Sequence, residues 1–112
     1  MNVLIDMPVY EPMLQKLQQL PGVNIRMVDP PEEKCRPLPV DLVKNCDALF
    51  ATFPPENHSV MHQLKFIQIS SAGFKQLIGQ QFPARGIKCC NALGVFDVPI
   101  AEWNVAMMVN LA

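Results

Sequence analysis

A chain of 112 residues has the length of one domain, enough for a single core and short of the usual two-domain enzyme. Half of its residues are apolar and 17% are charged, the balance of a soluble globular protein. A net charge of -1, with no lysine/arginine cluster, argues against nucleic acid or an anionic membrane surface as an obligate partner.

Met1-Asn2-Val3-Leu4-Ile5-Asp6 carries no basic leader followed by a long apolar run and a small-residue cleavage site, so a cytoplasmic address is expected. Val3-Leu4-Ile5 reads as a first buried strand. Met13, Leu14, Leu17 and Leu20 have helical spacing, which predicts a helix from Glu11 to Leu20 stopped by Pro21-Gly22. Val23 to Val28 alternates as a second strand, and Asp29 to Glu33 is a proline-rich loop. Pro39 to Lys44 predicts a short helix with proline in its first turn.

Ala48 to Phe53 is the third strand, closed by Pro54-Pro55, and Asn57 is placed to cap a short helix reaching Leu64. Phe66 to Ser70 is the fourth strand. A helix is predicted from about Lys75 to Gln81, and Ala84-Arg85-Gly86 leads into a fifth strand, Ile87 to Asn91. This β-α alternation predicts an α/β fold: a five-stranded parallel sheet with helices on both faces. Right-handed crossovers favour the flavodoxin-like strand order 2-1-3-4-5.

The final segment, Val98 to Ala112, is helical in pattern but apolar almost all round, so burial on more than one side is expected. It has no glycine cap, basic last turn or closing proline, and reads as a helix cut short that a partner domain or subunit would cover. With Glu102, Asn104 and Asn110 inside it, the run is too short to span a bilayer.

The most informative stretch is Leu64 to Phe74. A buried strand runs into the small turn Ser71-Ala72-Gly73-Phe74 at the carboxyl edge of the predicted sheet, where ligands bind. With so little side-chain bulk, its backbone N–H groups can approach an anion. The plainer reading is an ordinary strand-to-helix turn that uses Gly73 for backbone freedom.

Other candidates favour structural roles. His58 and His62 are four apart on a predicted helix, but the only third ligand near them is Glu56, so a solvated face is expected and no metal. Glu102 complements a helix N-terminus, and Trp103, Met107 and Met108 belong to an apolar helix surface. Cys35, Cys46, Cys89 and Cys90 contain no C-x-x-C pair and are expected to be reduced, structural thiols, with adjacent Cys89 and Cys90 on opposite faces of a strand. Asp6 and Asp29 end the first two strands and read as caps or solvated carboxylates.

Leu64 to Phe74, Arg85-Gly86-Ile87, Asn91-Ala92-Leu93-Gly94-Val95 and Ile100-Ala101-Glu102, with Leu20-Pro21-Gly22-Val23, together resemble the N-terminal part of the D-isomer-specific 2-hydroxyacid dehydrogenases. The resemblance covers essentially the whole chain. It implies residues 1–97 as a flavodoxin-like substrate-binding domain, with 98–112 starting an interdomain helix toward a downstream NAD(P)-binding Rossmann domain. It further implies a small 2-hydroxy or 2-keto acid as substrate, NAD or NADP as cofactor of the full-length enzyme, and a homodimer. In such enzymes a hydride passes between the nicotinamide and C2 of the acid.

By this resemblance Ala72, Gly73 and Phe74 hold the substrate carboxylate through backbone N–H groups, beside Ser71. Thr52 and Phe53 line a second wall; where members often carry arginine-serine or a small polar pair, this chain has Phe53-Pro54. Phe96 faces the substrate, and Ile100 faces substrate and nicotinamide. The family's glycine fingerprint and its catalytic arginine, glutamate and histidine lie downstream of the last helix, so no residue here is expected to be catalytic or to hold pyrophosphate. The chain alone is expected to be inactive.

The alternative is a stand-alone flavodoxin-like module for non-catalytic acid binding or dimerisation. A receiver domain is excluded because the third strand ends Ala51-Thr52-Phe53 without an aspartate. A flavodoxin is excluded because Met7-Pro8-Val9-Tyr10-Glu11 is no phosphate loop.

Overall fold

Leu4, Ile5, Leu49, Ile67 and Ile69 are almost wholly buried, as strands covered on both sides require. The computed structural model describes residues 1–112. In chain order the elements are β1 (Asn2–Asp6), α1 (Glu11–Gln18), β2 (Asn24–Met27), α2 (Val40–Val43), β3 (Ala48–Ala51), β4 (Phe66–Ile69), β5 (Lys88–Cys90) and α3 (Asp97–Leu111). Single 3-10 turns at His58–Val60, Lys75–Leu77 and Pro83–Arg85 fill the crossovers around β4. All four strand pairings are parallel, in the order β2-β1-β3-β4-β5, as the sequence predicts.

The register sorts the side chains into two faces. Leu4, Leu49 and Ile67 lie level across β1, β3 and β4; they join Val43, Cys46, Met61, Leu64, Phe82 and Ile87 in the larger core. On the opposite face Val3 and Ala48 lie level and pack with Ile5 under Leu14 of α1. Phe50 and Phe66 continue that second face and meet edge-on at 6.3 Å. Cys89 packs against the larger core while Cys90 is exposed, as strand alternation requires.

Several elements are shorter than the sequence predicts. α1 stops at Gln18 rather than Leu20, and β3 stops at Ala51, before Thr52-Phe53. The helix expected over 75–81 is one turn, Lys75–Leu77: Ile78 is extended, and Gly79 and Gln81 take positive φ (80° and 58°), which no helix continues through. The helix expected from Asn57 is likewise one turn, and Asn57 does not cap it. Its side-chain oxygen accepts from Leu38 N–H at 3.0 Å and its amide donates to Leu38 O at 2.8 Å, closing the loop before α2.

α3 finds no cover within the 112 residues. No residue of it is buried, and Ile100, Trp103, Met108 and Leu111 stand exposed. Its composition is that of an interior helix, yet nothing within the 112 residues covers it.

Candidate functional site

In this strand order the chain reverses direction across the sheet between β1 and β3, and the carboxyl ends of the strands there form the crevice that open α/β sheets use for ligands. Asp6 ends β1 at that point. Its side chain is 3% exposed, accepts from Glu32 N–H at 3.1 Å and pairs with the Arg36 guanidinium at 3.0 Å. Asp6 is therefore neither a cap nor solvated, contrary to the sequence reading; the ion pair holds the 29–38 loop over the crevice. Arg36 also donates to Glu32 at 2.9 Å and to Pro30 O at 3.0 Å. The hydrogen bond from Lys34, with the charges of Arg36 and Lys34, holds the Glu32 carboxyl below its ordinary value of 4.5.

From this loop a hydrogen-bond chain runs to the turn after β4. Thr52 donates to Glu33 Oε1 at 2.9 Å, and its hydroxyl lies 2.8 Å from that of Ser70. Gln76 Nε2 donates to Thr52 O at 2.9 Å and to Ser71 Oγ at 2.8 Å. Ser71 Oγ donates to Gly73 O at 2.7 Å. From the β5 side, Asn91 Nδ2 donates to Ala72 O at 2.7 Å and Ala92 N–H to Ser71 O at 2.9 Å. The carbonyls of the turn are thus held by the protein. The N–H groups of Ala72, Gly73 and Phe74 donate to no protein atom.

Three consecutive N–H groups without a protein acceptor, on a turn whose carbonyls are held, leave donors available to an anion. Gly73 is not there for backbone freedom, as its φ lies outside the left-handed region and a Cβ on it would meet nothing within 4 Å. Beside the turn, a hollow of about 360 Å³ is lined by Phe74, Leu77, Ile78, Pro83, Cys89 and Asn91. Other hollows lie elsewhere, one of about 500 Å³ beside Phe50 and Phe66 on the sheet face.

Thr52 and Ser71 are therefore joined to the turn, with half-buried Phe53 next to Thr52. Phe74 is 56% exposed. Phe96 and Ile100 stand exposed at the start of α3, linked by a hydrogen bond from Ile100 N–H to Phe96 O, and no hydrogen bond ties them to the turn. Sequence reasoning missed Glu33, Gln76 and Asn91, the polar residues that fix the turn. Glu33 and Gln76 carried no signal but polarity, Asn91 opened the Asn91 to Val95 block without a role of its own, and the partners Thr52 and Ala72 lie 19 to 24 residues away.

His58 also departs from its expected solvated face. Its ring contacts Phe82 at 4.8 Å, Nε2 lies 3.0 Å from Gln80 Oε1, and Nδ1 lies 3.1 Å from Arg85. No group of three His, Cys, Asp or Glu side chains converges as metal ligands. Burial pushes the Cys46 thiol up to about 11 and raises that of Cys89.

No protein-family model and no curated protein matches the chain. The crystal structure of phosphoglycerate dehydrogenase from Lactobacillus plantarum superposes on 99% of it with a TM-score of 0.66 at 20% sequence identity. The likeness is one of fold: the five-stranded parallel α/β arrangement is shared with that part of the neighbour. The chain spans 35% of that neighbour's length. No helix is long and apolar enough to cross a membrane.

Proposed function

We propose that this chain is the substrate-binding part of an NAD(P)-dependent D-2-hydroxyacid dehydrogenase or 2-keto acid reductase. The observation that carries the reading is the row of unengaged N–H groups at Ala72, Gly73 and Phe74, on the carboxyl edge of the sheet. These donors fit a carboxylate, which every 2-hydroxy and 2-keto acid possesses. The fold shared with a phosphoglycerate dehydrogenase supports the same reading.

The residues of this chain do not form a dinucleotide site. None of its glycines belongs to a G-x-G-x-x-G run, and Gly22, Gly79, Gly86 and Gly94 take positive φ to turn the chain. The cofactor and the catalytic groups belong to a downstream Rossmann domain reached through α3, whose uncovered apolar surface suits a domain contact. The roles left to this chain are to hold the acid by the turn, to wall it with Thr52 and Phe53, and to present Phe96 and Ile100 toward the cleft. The full-length enzyme is read as a cytoplasmic homodimer.

The test extends expression through the downstream reading frame. That protein should oxidise NADH or NADPH when offered a panel of 2-keto acids. Absence of turnover with every acid, from a folded protein, would reject the reading.

A further inference from the structure

We propose that Glu33 is a specificity-determining residue that restricts the turn to acids carrying one negative charge. The inference rests on the reading of Ala72 to Phe74 as a carboxylate site and names the class of acid it takes.

The charges around the carboxyl edge support it. In the 29–38 loop, Lys34 pairs with Glu32, and Arg36 pairs with both Asp6 and Glu32. Both basic residues of the loop are thereby neutralised. Glu33 forms no ion pair, and its one hydrogen-bond partner is the uncharged hydroxyl of Thr52 at 2.9 Å. That hydroxyl contacts Ser70, the residue directly before the turn, at 2.8 Å. Glu33 therefore sets an unpaired negative charge two hydrogen bonds from Ser70, the residue before the turn that carries the donor row.

On the other flank Lys75, exposed and without an ion-pair partner, directly follows Phe74. One free cation and three N–H groups meet the needs of a single carboxylate, and the flanking hollow is lined by Phe74, Leu77, Ile78, Pro83, Cys89 and Asn91, with no charged side chain. A second carboxylate or a phosphate on the acid would be repelled by Glu33, an exposed charge whose effect solvent keeps modest. The geometry thus selects 2-hydroxy monocarboxylates with uncharged side chains. Phosphorylated acids, such as the substrate for which the structural neighbour is named, are disfavoured.

The experiment titrates the isotope-labelled 112-residue chain at neutral pH with D-lactate and separately with 3-phosphoglycerate, following the amide signals of Ala72, Gly73 and Phe74. D-lactate should bind more tightly. Glu33→Gln keeps an acceptor for Thr52 and should narrow the affinity ratio by on the order of fivefold, the effect of one near-surface charge. Glu33→Asp should preserve the ratio, and high salt should narrow it in the wild type only. An unchanged ratio in Glu33→Gln, or 3-phosphoglycerate binding at least as tightly as D-lactate to the wild type, would overturn the inference and leave the carboxylate site standing. If neither acid moves those three amides, the carboxylate site and this inference both fall.

Discussion

Gln76 is the residue on which the shape of the turn depends. Its amide nitrogen donates to Thr52 O at 2.9 Å and Ser71 Oγ at 2.8 Å, strapping the end of β3 to the turn after β4. Gln76→Ala removes both bonds. A neutral hydrogen bond contributes about 0.5–1.5 kcal/mol net, so the pair is worth about 1–3 kcal/mol. Because the site is half-buried and water can reach the vacated acceptors, the expected loss is about 1–1.5 kcal/mol, or roughly 4–10 °C in Tm for a domain of this size. Gln76→Glu is the sharper variant. At neutral pH its carboxylate has no donor and faces Thr52 O, while Ser71 can reach it only by releasing Gly73 O. It should therefore destabilise more than alanine at neutral pH and less in mild acid, where the protonated carboxyl regains one donor. Urea unfolding at both pH values measures this, and amide exchange at 72–74 should quicken in both variants. A Gln76→Ala midpoint within a few tenths of a kcal/mol of wild type, with unchanged exchange, would refute the role of the strap.

Two further outcomes follow from ionisable groups. Cys46 is buried and its thiol is pushed up to about 11, so it should resist alkylation in the folded protein while exposed Cys35 and Cys90 react; rapid labelling of Cys46 would contradict its packing. Glu32 is held below its ordinary value of 4.5, so its ion pairs stabilise the fold above that pH and are lost as pH falls through the lower folded value. Glu32→Gln should flatten the stability-pH curve below pH 4.5, and an acid limb identical to wild type would show that the network with Lys34 and Arg36 is not stabilising.

The strands were the most legible part of the sequence. Val3-Leu4-Ile5 and Phe66, Ile67 and Ile69 are apolar because parallel strands need cover on both faces, and this shows in composition without knowledge of partners. The segments around His58 and Lys75 were less legible. Their helical patterns were real but short, and positive φ at Gly79 and Gln81 ended the second after one turn. At the site, the small residues of the turn were readable locally. Asp6 was misjudged because its partner Arg36 sits 30 residues away in a loop without periodicity. The plainer reading of Gly73, backbone freedom, fails because its φ is not left-handed, and the open space around it is visible only in the structure.

That openness makes Gly73 the place to test the central claim. Gly73→Asp needs no unusual φ and meets no neighbour, so its urea midpoint should lie within about 0.5 kcal/mol of wild type. The measurement is a D-lactate titration of the wild-type chain and this variant, read at the amides of Ala72, Gly73 and Phe74. The account predicts saturable shifts at these three positions in the wild type and their loss in the equally stable variant, whose carboxylate faces that of the ligand. Equal shifts in both proteins would contradict it and remove the turn from the site.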